Sequence, residues 1–465
     1  MEPFDSSLEQ TKSEVLSENR PANNQFKVTH KLVLSIAVPM SFGYLTTPIL
    51  GLVDTAVIGQ LGVPALIGGL AIGTVLVDIF LFTFNFLRSG TVGLTAQAYG
   101  AGDEIEIQAT LFRALGLAVI IGIVLIIITP VLLIIGLWFM APGEITRDAT
   151  TTYLQTRMIS APFALANYAL FGWFVGRNTT NIALLLQIFL NTINIILSIV
   201  FVLGFNWGIT GVAIATVIAE IAACMIGSAI AWNLLRSKTL PTWSQVYNPS
   251  ALKRMMSMNG DIMIRSFALL FAFGYFTAQG ARYGDIILAA NAILLHFFFV
   301  GGYFLDGLAV AAEQISGRAI GARDRTAFVR SAKLTILWSL ALALFLALFY
   351  LVVGNFAIEY ITTSVPVRET AMSYFWWAAF ISLAGVAAFI MDGIYIGSTW
   401  SREMSITMVA SLFGFIISWQ LVAPYMDNHG LWLSFYIFLI LRGVTMFILL
   451  PRNIRRSFDY SKPNS

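Results

Sequence analysis

Residues 115–139 read LGLAVIIGIVLIIITPVLLIIGLWF, a run of 25 positions with no charge and apolar side chains at every helical angle. A membrane β-strand alternates polar with apolar residues, and a helix on the surface of a soluble protein keeps one polar stripe. This run does neither, and it exceeds the ~20 residues that a helix needs to cross a bilayer. Working outward, similar runs recur along the chain and are separated by short Gly, Pro or charged connectors. They predict twelve transmembrane helices, at 33–58, 65–89, 111–138, 148–174, 179–204, 209–235, 258–281, 286–314, 330–353, 370–397, 404–424 and 430–450. The expected fold class is therefore an all-α polytopic membrane protein.

Composition agrees. The 465 residues are 58% hydrophobic and 11% charged, against ~25% charged in ordinary soluble domains. A mean hydropathy of +0.81 excludes disorder and a collagen-like fibre. The lone cysteine, Cys224, cannot close an internal disulfide. A net charge of only +3 offers no bulk field for nucleic acid, so the expected partners are the lipid bilayer and a small molecule, with the chain a monomer. Residues 1–30 are polar, lack the apolar core of a signal peptide, and read as a cytosolic tail, as do residues 453–465.

Charge placement gives an orientation. With the N-terminus inside, 21 of the 27 lysines and arginines fall on the cytoplasmic side, Arg88 and Arg113 among them; Arg147, Arg282 and Arg368 fall outside, and Arg157, Arg265 and Arg442 lie within spans. Positive residues are retained in the cytoplasm, so both termini are expected inside the cell (inner) membrane.

The two halves repeat at an offset of 221–222 residues. GLTAQAYGAGD at 93–103 answers ISGRAIGARD at 315–324, so that Gly100 lies over Gly321 and Asp103 over Asp324; FGWFVG at 171–176 answers DGIYIG at 392–397. Each half holds six helices, an even number, so both enter the membrane from the same side and form a parallel repeat. The expected organisation is an N-lobe at 31–235, a linker at 236–257 and a C-lobe at 258–452.

A charged side chain inside a bilayer costs roughly 2.5–3.5 kcal/mol on insertion scales, which makes each one a functional candidate. Asp54 stands in the first span beside a stripe of small residues at Gly43, Thr47, Gly51, Thr55 and Gly59, a pattern that lets another backbone approach. Thr47 and Gly51 lie on nearly the same side as Asp54, and Pro39 and Pro48 soften the helix. A lone carboxylate in this setting can take up and release a proton. In the fifth span Gln187, Asn191, Asn194 and Ser198 recur at spacings of four, three and four, one polar face that either lines a cavity or bonds to a neighbouring helix. Secondary candidates lie in the second half. Asp261 and Arg265 are spaced for a local ion pair, and Asp306 and Asp392 have no sequence-local partner. Glu313, Asp78 and Glu220 are weaker candidates, and His296 reads as a core residue. No phosphate-binding loop, HExxH, GxSxG or CxxC motif occurs, so neither an enzyme nor a resident metal or cofactor is expected.

The stretch VPMSFGYLTTPILGLVDTAVIGQLGVPALIGGLAIG at 38–73 resembles the opening of the multidrug and toxic compound extrusion (MATE) transporters. FLRSGTVGLTAQAYGAGD, GVAIATVIAE, NGDIMIRS, ILAANAILLHFFFVGGYFLDGLAVAAEQISGRAIGARD and FIMDGIYIGST look like its DinF-type branch, and the resemblance runs from about 33 to 450. It implies a V-shaped pair of six-helix bundles exporting amphipathic, often cationic compounds in exchange for inward H⁺ or Na⁺. It also implies that Asp54 is the cation-coupling carboxylate. The chain departs from many relatives in the fifth span, where NIILSI puts Ser198 at the position of a second acid. It also lacks the helix-seven Glu of the NorM-type branch, although Asp392 resembles that branch's helix-ten acid. One carboxylate suffices for a proton whereas Na⁺ prefers several oxygen ligands, so H⁺ is the expected coupling ion. Sodium coupling and the flipping of a lipid-linked intermediate are the alternatives, the latter disfavoured by the excess of acids over arginines within the spans.

Overall fold

A computed structural model of the chain describes residues 26–236 and 238–459, which are almost entirely helical. The N-terminal 25 residues and residues 460–465, with Lys12, Arg20, Lys462 and most of both expected tails, lie outside the described residues. The first half comprises α1 (His30–Gly59), α2 (Pro64–Phe82), α3 (Phe86–Ala101), α4 (Glu104–Met140), α5 (Glu144–Met158), α6 (Ala161–Gly176), α7 (Thr180–Ile199, running into a π-turn at Val200–Gly204) and α8 (Gly208–Leu235). After the short α9 (Trp243–Val246), the second half comprises α10 (Pro249–Ala281), α11 (Asp285–Gly321), α12 (Arg325–Ile361), α13 (Val365–Gly397) and α14 (Ser401–Phe458).

Ten helices among the described residues are long and apolar enough to cross a membrane, and α5 with α6, bent by 54° at their junction, makes an eleventh crossing. The 58 residues of α14 would extend ~87 Å at 1.5 Å per residue, far beyond a ~30 Å hydrocarbon core. Its backbone leaves helical geometry at Asp427 (φ 45°, ψ −128°), dividing it into two crossings and giving the twelve expected. Several boundaries move. The second span reaches Ala101 through a break at residues 83–85, so Arg88, expected at its cytoplasmic end, lies well inside the membrane-spanning segment. Likewise α10 starts at Pro249, inside the stretch expected as linker. The run that opens the sequence argument forms α4, whose Ile127, Ile134, Trp138 and Phe139 are each about 70% exposed, as lipid contact requires.

The repeat is written in the backbone. Asp103 and Asp324 each cap the following helix, accepting from Glu106 N at 2.9 Å and Ala327 N at 2.8 Å. Asn178 (φ 67°) and Thr399 (φ 57°) make the same left-handed turn 221 residues apart. A methyl group on Gly172 would strike the Arg88 carbonyl, and one on Gly393 the Ala309 carbonyl; Gly176 faces Val92 and Thr95 as Gly397 faces Glu313 and Ser316. Each pair of partners keeps the same offset.

The halves meet along α11, which packs on α1 and α3. Ser41 Oγ donates to Phe304 O at 3.0 Å, and Gln314 Nε2 donates to Asn178 Oδ1 at 2.8 Å. Gln97 Nε2 donates to Gly397 O at 3.0 Å. These contacts lie on the part of the seam toward the end where α1 starts and α3 and α11 finish. The small-residue stripe of α1 plays no part in them: Gly43 packs on Leu184 of α7, Gly51 and Gly59 have open space where a side chain would be, and Thr47 and Thr55 are exposed.

Candidate functional site

In the first half, α1 carries Asp54 inward although Gly51, Leu52, Thr55 and Ala56 around it are exposed. The carboxyl is 8% exposed and its Oδ1 has no hydrogen-bond partner. Ser198 of α7 stands against it, with the Arg157 guanidinium close enough to act electrostatically. From Ser198 a directional chain leads away: Ser198 Oγ donates to Asn194 Oδ1 (3.1 Å), Asn194 Nδ2 to Thr216 Oγ1 (3.0 Å), and Thr216 Oγ1 to Val212 O (3.1 Å). The rest of the polar stripe turns to α1, where Gln187 Nε2 donates to Asn191 Oδ1 (3.2 Å) and Asn191 Nδ2 to Thr46 Oγ1 (2.5 Å). Thr46, one position from the expected Thr47, is thus the threonine that meets the stripe.

Arg157 and Glu220 form a bidentate pair at 2.8 and 2.6 Å, with Ser160 Oγ on the same guanidinium and Asn167 Nδ2 on the Glu220 carbonyl. Asp78, exposed on α2, lies within electrostatic range of Arg157. Arg157 and Glu220 are 63 residues apart, so no local spacing signals the pair.

The second half corrects the expected local pair. Arg265 turns from Asp261 to Asp392, whose Oδ2 accepts from its Nε at 3.0 Å and from its Nη2 at 2.5 Å. Arg442 of α14 donates to the same oxygen. Asp261 instead accepts from Ser401 Oγ at 2.7 Å. Nearer the seam, Arg88 of α3 donates to the Tyr44 hydroxyl and, through Nε, to Asn85 Oδ1 at 3.1 Å. It faces Asp306 and Glu313 of α11 from across the seam. Glu313 is 4% exposed and its Oε1 has no hydrogen-bond partner. His296 lies exposed on α11, not in the core.

The candidate residues thus fall into two groups, Asp54 with Gln187, Asn191, Asn194 and Ser198 in the first half, and Arg265, Asp392 and Asp306 in and beside the second-half cluster. A helical bundle with an internal two-fold repeat and buried charge in each half defines a class. The sequence pattern of the MatE family matches residues 39–200 and 262–420, one stretch in each half, and the chain belongs to that family of multidrug and toxic compound extrusion transporters. It is similar to DNA damage-inducible protein F of Escherichia coli (strain K12), at 34% identity over 431 residues covering 91% of this chain and 93% of that protein. It is also similar to the probable multidrug resistance protein NorM of Agrobacterium fabrum, at 23% identity covering 95% and 98%. Among solved structures, a MOP-superfamily transporter from Pyrococcus furiosus superposes with a TM-score of 0.84 at 16% identity, covering 92% of this chain and 96% of that one. A MATE structure in the bent conformation gives the same score.

Proposed function

We propose that the chain exports amphipathic or cationic small molecules in exchange for protons, with Asp54 as the proton-exchanging group and both termini cytoplasmic. The observation that carries this reading is the direction of the hydrogen-bond chain beside Asp54. Thr216 commits its hydrogen to Val212 and Ser198 commits its own to Asn194, so the Ser198 oxygen is left as an acceptor beside Asp54, whose Oδ1 is unpartnered. A protonated carboxyl can donate to that oxygen, whereas an ionised one cannot. The chain therefore has a place for one proton, and Ser198 stands where a second acid would otherwise compete for it.

The second-half acid supports the same reading. A cation ligand needs free lone pairs and uncompensated negative charge. Asp392 keeps an unpartnered Oδ1 but lacks uncompensated charge, because two guanidiniums share its Oδ2. Charge balance between the two halves of the seam also suits a positively charged or neutral amphipath, with Asp78 and Asp306 both within electrostatic range of Tyr303. The names of relatives as multidrug resistance or export proteins agree with a broad substrate range.

The test is proton release on substrate binding. Purified protein in weakly buffered detergent is titrated with the cationic dye ethidium while bulk pH is followed. The wild type should release about one proton per dye bound, and Asp54→Asn should bind dye without release. Equal release from both would exclude Asp54 as the exchanging group.

A further inference from the structure

Where α1 begins, a cavity of about 380 Å³ is lined by Phe26, Lys27, Thr29, Lys31, Leu32, Ser35 and, from α11 of the other half, Arg318. A water in the liquid occupies ~30 Å³, so the space is that of a polyatomic group. Three of the seven lining residues are cations and none is acidic. Lys27 and Lys31 are exposed, Arg318 is half-buried, and none of the three forms an ion pair among the described residues. Arg318 is nevertheless fixed in position, its guanidinium 4.0 Å from the centre of the Phe26 ring and 5.2 Å from that of Tyr99. Such stacking holds the group without neutralising it.

The backbone adds to this field. Thr29 caps α1 by accepting from Leu32 N at 3.2 Å, and the first intrahelical bond runs from Val33 N to Thr29 O, which leaves the N–H groups of His30 and Lys31 without backbone acceptors. No acidic residue occupies the first turn. His30 Nδ1 accepts from Trp338 Nε1 at 3.2 Å, tying the start of α1 to α12 and so setting the cavity wall. Positive charge with two spare amides and the Thr29 hydroxyl hydrogen matches the oxygens of a phosphate, while Ser35 Oγ donates to Leu32 O at 2.9 Å.

We propose that this cavity binds a phosphate-bearing anion, supplied by the headgroup of an anionic phospholipid, which joins Lys27 and Lys31 of the first half to Arg318 of the second. The position favours the lipid over free phosphate, because the cavity opens at the end of a membrane-spanning helix, where basic residues meet the headgroup layer. A bridging anion stabilises the arrangement in which α1 and α11 are together at this end. The inference does not depend on the coupling ion.

The experiment measures the thermal unfolding of full-length protein in neutral detergent as phosphatidylglycerol, phosphatidylcholine or inorganic phosphate is added. Phosphatidylglycerol should raise the Tm of the wild type and phosphatidylcholine should not. Each lysine near an anionic surface contributes about 1 kcal/mol, so the double variant Lys27→Gln/Lys31→Gln should need roughly 30-fold more phosphatidylglycerol for the same rise. Both lysines are exposed, so this variant keeps the fold. Arg452→Gln, which removes another exposed cation from the same end, should respond as the wild type does. Protection by inorganic phosphate alone, lost in the double variant, would keep the phosphate site and overturn the lipid as its source. Equal responses from the wild type and the double variant, or an equal loss in Arg452→Gln, would overturn the site.

Discussion

Gly100 and Gly321, which hold the same place in the two repeats, lie against each other's helices across the seam: a methyl group on Gly100 would strike the Arg318 carbonyl, and one on Gly321 the Gln97 carbonyl. Backbone is touching backbone there, on the pseudo-two-fold between α3 and α11. The glycine requirement is steric and mutual, and it seals this end of the seam. Gly321→Val should therefore cost about 1–3 kcal/mol in detergent unfolding, the usual range for overpacking, and should lower transport by holding the seal apart. Gly116→Ala, where the added methyl meets nothing within 4 Å, should be neutral or slightly stabilising.

Arg157 and Glu220 are each buried and bonded in two places, so removing one charge leaves the other stranded. Glu220→Gln should lower stability by about 3–5 kcal/mol, whereas the double variant Arg157→Met/Glu220→Leu should recover much of that loss. Thermal unfolding of Glu220→Gln, Arg157→Met and the double variant decides between a structural pair and a replaceable one. A double variant as unstable as the singles would point to a further role for the Arg157 charge, which also lies within range of Asp54.

Asp392 holds Arg265 and Arg442 together on one oxygen, and its role follows from that geometry. Asp392→Asn should destabilise the second half by about 3–5 kcal/mol, because two buried guanidiniums lose their counter-ion. Sodium chloride and choline chloride at equal concentration should give the wild type the same Tm. A rise specific to sodium and absent from Asp392→Asn would reassign this acid as an ion ligand.

The polar face of α7 is graded in depth. Gln187 is half-buried and borders a small cavity with Tyr44 and Arg88, whereas Asn191 is 4% exposed and Asn194 and Ser198 are fully buried. In a Cys224→Ala background, cysteine at 187 should react quickly with a small water-soluble thiol reagent, and cysteine at 194 or 198 only slowly, with acceleration when substrate is added. Rapid reaction at 198 without substrate would contradict the buried chain around Asp54.

The fold was legible because its signals are long and redundant. A run such as 115–139 is apolar at every angle, and the repeat recurs in capping aspartates and tight glycines that have specific backbone duties. The polar stripe on α7 was legible for the same reason, since a 3.6-residue period places its members on one face. What sequence could not reveal were partnerships across the bundle. The spacing of Asp261 and Arg265 suggests a local bond, but Arg265 finds a deeper carboxylate 127 residues away, and Arg442 arrives there from a third helix. The small-residue stripe on α1 misled in a similar way, because close approach depends on which helix lies opposite, and that is a property of the assembled bundle. In sequence, Arg88 counts with the cytoplasmic cations at the end of the second span; that span runs on to Ala101, and the Tyr44 hydroxyl on α1 accepts a hydrogen bond from Arg88.

The proposed proton-only export through Asp54 is tested most directly in liposomes. Protein reconstituted into liposomes and loaded with ethidium should expel the dye when a pH gradient is imposed in sodium-free buffer, and Asp54→Asn should lose that response. A sodium gradient at equal pH should drive nothing above the passive leak. Dye export by the sodium gradient at a rate matching the pH gradient, or undiminished pH-driven export by Asp54→Asn, would contradict the account.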